Sequence, residues 1–132
     1  PSPVRGYFSA KYVDPDFIGE RTSARPFLIR YSDIALVFAE AAGPDEGLAL
    51  VNEIRRRAGI PELPEGMSLA EFRKAVIQER ALELAFEGNR LYDLRRTASV
   101  TATVPEATKL SEEQAAFYPI PQRELDLNPN VK

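Results

Sequence analysis

Between residues 28 and 96, apolar side chains recur at helical spacing, and the prolines inside that stretch sit at two joints, Pro44 and the pair Pro61 and Pro64. A chain divided in this way folds as helices joined by short turns. The flanks read differently. Residues 1–26 are punctuated by Pro3, Gly6, Pro15, Gly19 and Pro26, which leaves room only for short extended pieces such as residues 7–13. Residues 97–132 carry Pro105, Pro119, Pro121 and Pro129 and return to loop, apart from a helical turn expected at residues 122–125. The expected class is all-α, with a helical core at about residues 28–96 and long irregular N- and C-terminal arms. The 132 residues suffice for one domain and not clearly for two, and the chain reads as a single domain or a fragment of one.

The first helix is expected over residues 28–42. Tyr31, Ile34, Ala35, Phe38 and Ala42 form one apolar stripe, while Leu36 and Val37 lie off it. Such a helix is covered on more than one side. Gly43 and Pro44 end it, because Gly suits the left-handed position past a helix end and Pro cannot continue the ladder. The second helix, at about residues 45–58, has the stripe Gly47, Leu50, Val51, Ile54 and Ala58. So short a connection makes the two helices antiparallel across one seam. Arg55, Arg56 and Arg57 fall in its last turn, where cations complement the helix dipole. The third helix opens with a capping box, Ser68 and Glu71, with Met67 and Phe72 placed for the hydrophobic staple, and is expected to reach Phe86. Residues 89–96 are expected to continue helically beyond Gly88.

Composition excludes several functions. There is no Cys and no His, which removes disulfides, thiol nucleophiles, Cys/His zinc sites and imidazole catalysis. The net charge of −3 gives no drive toward nucleic acid. The most apolar run, residues 34–39, is far too short to span a bilayer.

One pattern in the third helix demands compensation. Glu79, Glu83 and Glu87 stand at i, i+4 and i+8, and like charges at that spacing repel. A carboxylate metal or acid–base site is one reading, but comparable di-metal bundles add His. The alternative is a structural ion network built from Glu79, Arg80, Glu83, Glu87, Arg90 and Asp93 together with Arg55 and Arg57 of the second helix. No cofactor is called for.

Five blocks then occur in a telling order. Gly6-Tyr7-Phe8-Ser9-Ala10-Lys11-Tyr12 precedes Asp14-Pro15. Arg30-Tyr31 leads to Ala39-Glu40-Ala41. Asn52 is followed by Ile54-Arg55-Arg56-Arg57-Ala58-Gly59. Glu79-Arg80, Glu83-Leu84, Glu87-Gly88, Arg90 and Asp93-Leu94-Arg95 come next, and Pro119-Ile120-Pro121, Glu124 and Asn128-Pro129 close the series. This order resembles the C-terminal part of the SusD/RagB family. Two departures stand out: Asn89 occupies a position where family members often carry His, and the usual Gln-Asn-Pro-Gly-Tyr ending does not follow. The resemblance implies antiparallel helix pairs like tetratricopeptide repeats, within a protein several times longer. It implies a non-catalytic glycan- or peptide-binding lipoprotein on the extracellular face of the outer membrane, seated on a TonB-dependent transporter. Contact with the membrane would be through a lipid anchor outside this sequence.

Sugar recognition needs exposed aromatic faces, so Tyr7, Tyr12 and Tyr118 in the arms are candidate ligand residues, with loop anchoring as their ordinary role. Tyr31, Phe38, Phe72 and Phe86 occupy stripe or staple positions and are expected in the core. Pro119-Ile120-Pro121 reads as a rigid turn rather than a polyproline ligand. Two functions compete with an enzyme that would depend on the Glu column alone: a nutrient-binding component, and a helical scaffold that binds another protein.

Overall fold

The computed structural model describes residues 9–116, 120–128 and 130. Its helices are α1 (Tyr31–Ala42), α2 (Pro44–Arg57), α3 (Leu69–Glu83), α4 (Arg90–Arg96), α5 (Val100–Thr103), α6 (Glu112–Ala116) and α7 (Gln122–Leu127), with a 3-10 turn at Pro105–Lys109. Among the described residues no strand forms; one isolated bridge joins Ile18 and Arg21. No described helix is long and apolar enough to cross a membrane. The chain divides into two compact units between Arg90 and Leu91.

In the first unit α1 and α2 fold back on each other about a single residue. Gly43 takes a φ of 85°, its N–H caps the Ala39 carbonyl at 3.0 Å, and Pro44 opens α2. The helices then approach closely, because a Cβ on Gly47 would lie 2.7 Å from the Ala39 Cα. The shared core joins Ala35, Leu36 and Ala39 of α1, Val51 and Ile54 of α2, and Phe72 and Val76 of α3. Leu48, Leu63 and Met67 pack around it. Buried Asn52 holds the α2–α3 loop by pairing both its amide groups with the Leu63 backbone, at 2.8 and 3.1 Å. The capping box at Ser68 and Glu71 forms as the sequence requires, with Met67 against the same cluster as Phe72.

Four expectations need correction. First, α1 starts at Tyr31 rather than residue 28, and it turns a different face inward. The buried residues are Ser32, Ala35, Leu36 and Ala39, while Tyr31, Ile34, Phe38 and Ala42 of the expected stripe are exposed. Two apolar faces compete on this helix, and the one bearing small residues wins because it permits the close approach to Gly47. Second, Ala58 lies past the end of α2 and is exposed, and Leu50 is only half-buried. Third, α3 ends at Glu83, and Phe86 stands exposed in a turn with a φ of 66°. Neither Gly nor Pro marks that stop; the released carbonyls find cationic partners from distant segments. Fourth, residues 9–13 make a turn at Lys11 and Tyr12 rather than an extended piece; residues 7 and 8 lie outside the described residues.

The second unit replaces the expected loop with short helices. Leu94, Val100, Ala107 and Ala115 make its core, with Val104 beside them. The Ser99 N–H reaches back to the Leu94 carbonyl at 2.8 Å and Thr97 Oγ1 to that of Asp93 at 2.7 Å, closing the end of α4. α7 covers and extends the turn expected at residues 122–125.

Candidate functional site

α3 presents Glu79 and Glu83 one turn apart, and the turn after it returns Glu87 to the same side. The basic groups come from three other segments. Arg55, in the last turn of α2, places Nη1 2.5 Å from Glu79 Oε2 and donates Nε–H to the Pro61 carbonyl at 2.7 Å. Arg57 donates to Glu83. Arg30, just before α1, sits between the two lower glutamates.

Arg30 is fully engaged. Its Nε and Nη2 grip both oxygens of Glu87, at 2.8 and 2.9 Å. Nη1 donates to Glu83 Oε1 at 2.6 Å and to Ser32 Oγ at 2.9 Å, and Nη2 donates to the Glu83 carbonyl at 2.7 Å. The guanidinium has five N–H donors, and each has an acceptor. Lys11 does the same with its three. Its Nζ reaches the carbonyls of Glu83 and Ala85, both at 2.9 Å, and Glu87 Oε1 at 2.6 Å. The Glu83 carbonyl is an end of α3 and that of Ala85 lies in the turn that follows, where the helix dipole favours positive charge. Two cations from the N-terminal segment thus cap α3 in place of a glycine.

This geometry fixes the charge states. Burial opposes ionisation of Glu83 more than any other single influence. The hydrogen bonds from Arg57, Arg30 and Ser32 together outweigh it and hold the carboxyl below its usual range. Arg30 lowers Glu87 most, against partial desolvation, with Lys11 adding to the effect. The pair of carboxylates in turn raises Arg30, Glu87 contributing most. Glutamates held ionised by paired cations are poor proton donors near neutral pH. Among the described residues no group of three or more Asp or Glu is placed to hold a metal ion.

Three further residues expected in the network have the following bonds. Arg80 is buried and pairs with Asp33 of α1 at 2.8 Å. Arg90 donates to the Ile77 carbonyl at 3.3 Å. Asp93, in the second unit, pairs with Arg96 at 2.8 Å. Sequence reasoning missed Arg30, Lys11 and Asp33. Arg30 left a signal: it is the one charged residue in the apolar run 26–32. Lys11, more than seventy positions from its partners, left none.

Of the aromatic candidates, Tyr7 and Tyr118 lie outside the described residues. Tyr12 is half-buried, with a φ of 63°, and borders two open concavities. One, of about 560 Å³, is shared with Asp14, Phe17 and Thr22; the other, of about 430 Å³, with Phe27, Arg30 and the column. Asp14 is committed to its own loop. Its carboxylate accepts from the Thr22 hydroxyl, from the Ser23 hydroxyl and N–H, and from the Asp16 N–H, and the Thr22 bond does most to keep it ionised.

Comparison with known proteins extends this description. The chain matches the SusD family over residues 1–132. It is 36% identical over 90 residues to SusD-like protein P2 of Formosa agariphila, covering 59% of this chain and 18% of that protein. To SusD-like protein P38 of the same organism it is 31% identical over 117 residues, covering 80% of this chain and 23% of that one. A crystal structure of a SusD homolog from Bacteroides thetaiotaomicron superposes with a TM-score of 0.71 at 31% identity, over 89% of this chain and 29% of that one. The chain therefore spans less than a third of each of these relatives. The all-α fold and the match along the whole sequence agree: this chain belongs to the SusD family.

Proposed function

We propose that the chain is part of a non-catalytic nutrient-binding protein, one that captures oligosaccharide at the outer-membrane surface and delivers it to a TonB-dependent transporter. The observation that carries this reading is the family match along residues 1–132. The state of the glutamate column supports the non-catalytic part. Glu83 and Glu87 are paired with Arg30, Lys11 and Arg57, an arrangement suited to holding segments together. The test is affinity measurement by calorimetry on a polypeptide of the relatives' length, against a panel of soluble polysaccharides and peptides. Saturable glycan binding without hydrolysis is expected. Binding only to peptides would move the ligand class, and glycan cleavage lost in Glu83→Gln would overturn the non-catalytic reading.

A second reading, a helical scaffold for another protein, has one observation in its favour. The outer face of α1 exposes Tyr31, Ile34, Val37 and Phe38. Co-purification of the transporter with a variant altered on that face would separate the two.

A further inference from the structure

The concavity of about 430 Å³ beside the column carries a charge imbalance. Its wall holds Lys11, Arg30 and Arg57 against Glu83 and Glu87, three cations to two carboxylates, in a chain whose net charge is −3. The surplus rests on Arg57. Lys11 and Arg30 commit their N–H donors to Glu83, Glu87, Ser32 and the Ala85 carbonyl. Among the described residues Arg57 donates one side-chain bond, to Glu83, and the side chain is 59% exposed.

Two aromatic rings share that wall, Tyr12 and Phe27. Tyr12 is half-buried and Phe27 is 61% exposed, and neither belongs to the apolar cluster of α1–α3. A cavity of this size, with aromatic lining and one cation holding donors in reserve, fits a small ring that bears an anionic group. A guanidinium can offer two parallel N–H donors to such a group. The neighbouring concavity differs: the charged group in its wall is the Asp14 carboxylate, which repels an anion.

We infer that the concavity beside the column is a subsite for an acidic sugar, with the ring on Phe27 and Tyr12 and its carboxylate or sulfate on Arg57. The inference rests on the glycan-binding role proposed above and narrows it to anionic oligosaccharides. Lys11 and Arg30 position the site, because they hold the segment carrying Tyr12 and Phe27 against the end of α3.

The test is calorimetric titration of a polypeptide of the relatives' length with two pairs of probes. One pair is oligogalacturonate and its methyl ester; the other is a sulfated galactan oligosaccharide and its desulfated form. In at least one pair the charged member is expected to bind about five-fold tighter or more at low salt, an advantage that shrinks as salt rises. The pair that shows it distinguishes carboxylate from sulfate. Arg57→Gln should abolish the preference and Arg57→Lys should keep most of it, an outcome that a purely structural role for Arg57 would not give. Phe27→Ala, at an exposed ring, should weaken the charged probe by about three-fold or more without loss of folding, and it keeps the test decisive if Arg57→Gln unfolds. Equal affinity for charged and neutral members overturns the inference and leaves the glycan-binding role standing. So does a charge preference that survives both Arg57→Gln and Phe27→Ala. Binding to acidic peptides and to no saccharide overturns both.

Discussion

The two compact units are built on different principles. The first joins three helices of 12, 14 and 15 residues around one apolar cluster and ties their ends with ion pairs. The second has helices of four to seven residues around four small or medium side chains, Leu94, Val100, Ala107 and Ala115. A helix of that length is marginal by itself and persists through the contacts it makes. The difference teaches where stability should concentrate. In the first unit a single deletion opens a cavity shared by three helices; in the second it loosens a local contact.

The largest expected effect follows directly. Phe72→Ala removes the largest fully buried side chain of the first unit and should cost about 3–5 kcal/mol in denaturant unfolding. A loss as small as that of a surface change would mean that the three-helix cluster is not the main source of stability. Next comes Arg30→Met, which strands Glu83 and Glu87. Breaking a buried pair costs about 3–5 kcal/mol, and the remaining partners Arg57 and Lys11 should reduce this to roughly 2–3 kcal/mol. Val100→Ala in the second unit should cost about 1–2 kcal/mol. Its hydrogen-exchange signature should be confined to residues after Arg90, and spread into α1–α3 would erase the distinction between the units.

Acid should act on the first unit through the column, with the smallest effect at any one step. Glu83 and Glu87 have folded pKa values below their usual 4.5. Their contribution is therefore complete above about pH 4.5 and is lost as pH falls through the folded values, by at most about 1.4 kcal/mol per group and pH unit. The Tm should fall below that pH, and less steeply in a Glu83→Gln, Glu87→Gln double variant. Equal slopes would remove the column from acid sensitivity.

The same contrast governs what could be read from the sequence. Long helices announce themselves by period, by Gly43-Pro44 and by the Ser68–Glu71 box, so α1, α2 and the start of α3 fall close to their expected places. The short helices after Arg96 offer too few turns for a period to show, and Pro105 and Pro121 fall at helix starts, where proline is tolerated. Periodicity also finds an apolar face without saying which of two will pack. On α1 the decision fell to Ala39 and Gly47, whose small size matters only once the partner helix is known. At the column, i, i+4 spacing singles out the three glutamates, and Arg55 and Arg57 follow from the helix pair. Arg30 and Lys11 arrive through chain separations of more than fifty residues, which no local pattern encodes.

The central claim is that Arg30 and the glutamates act as one structural clasp. A double-mutant cycle on Arg30→Met and Glu87→Gln, read by denaturant unfolding, measures it most directly. A coupling energy of at least about 1 kcal/mol is expected, because both nitrogens facing Glu87 are bonded to it. Additivity to within about 0.3–0.5 kcal/mol would contradict the claim and leave the column as a set of independent surface charges.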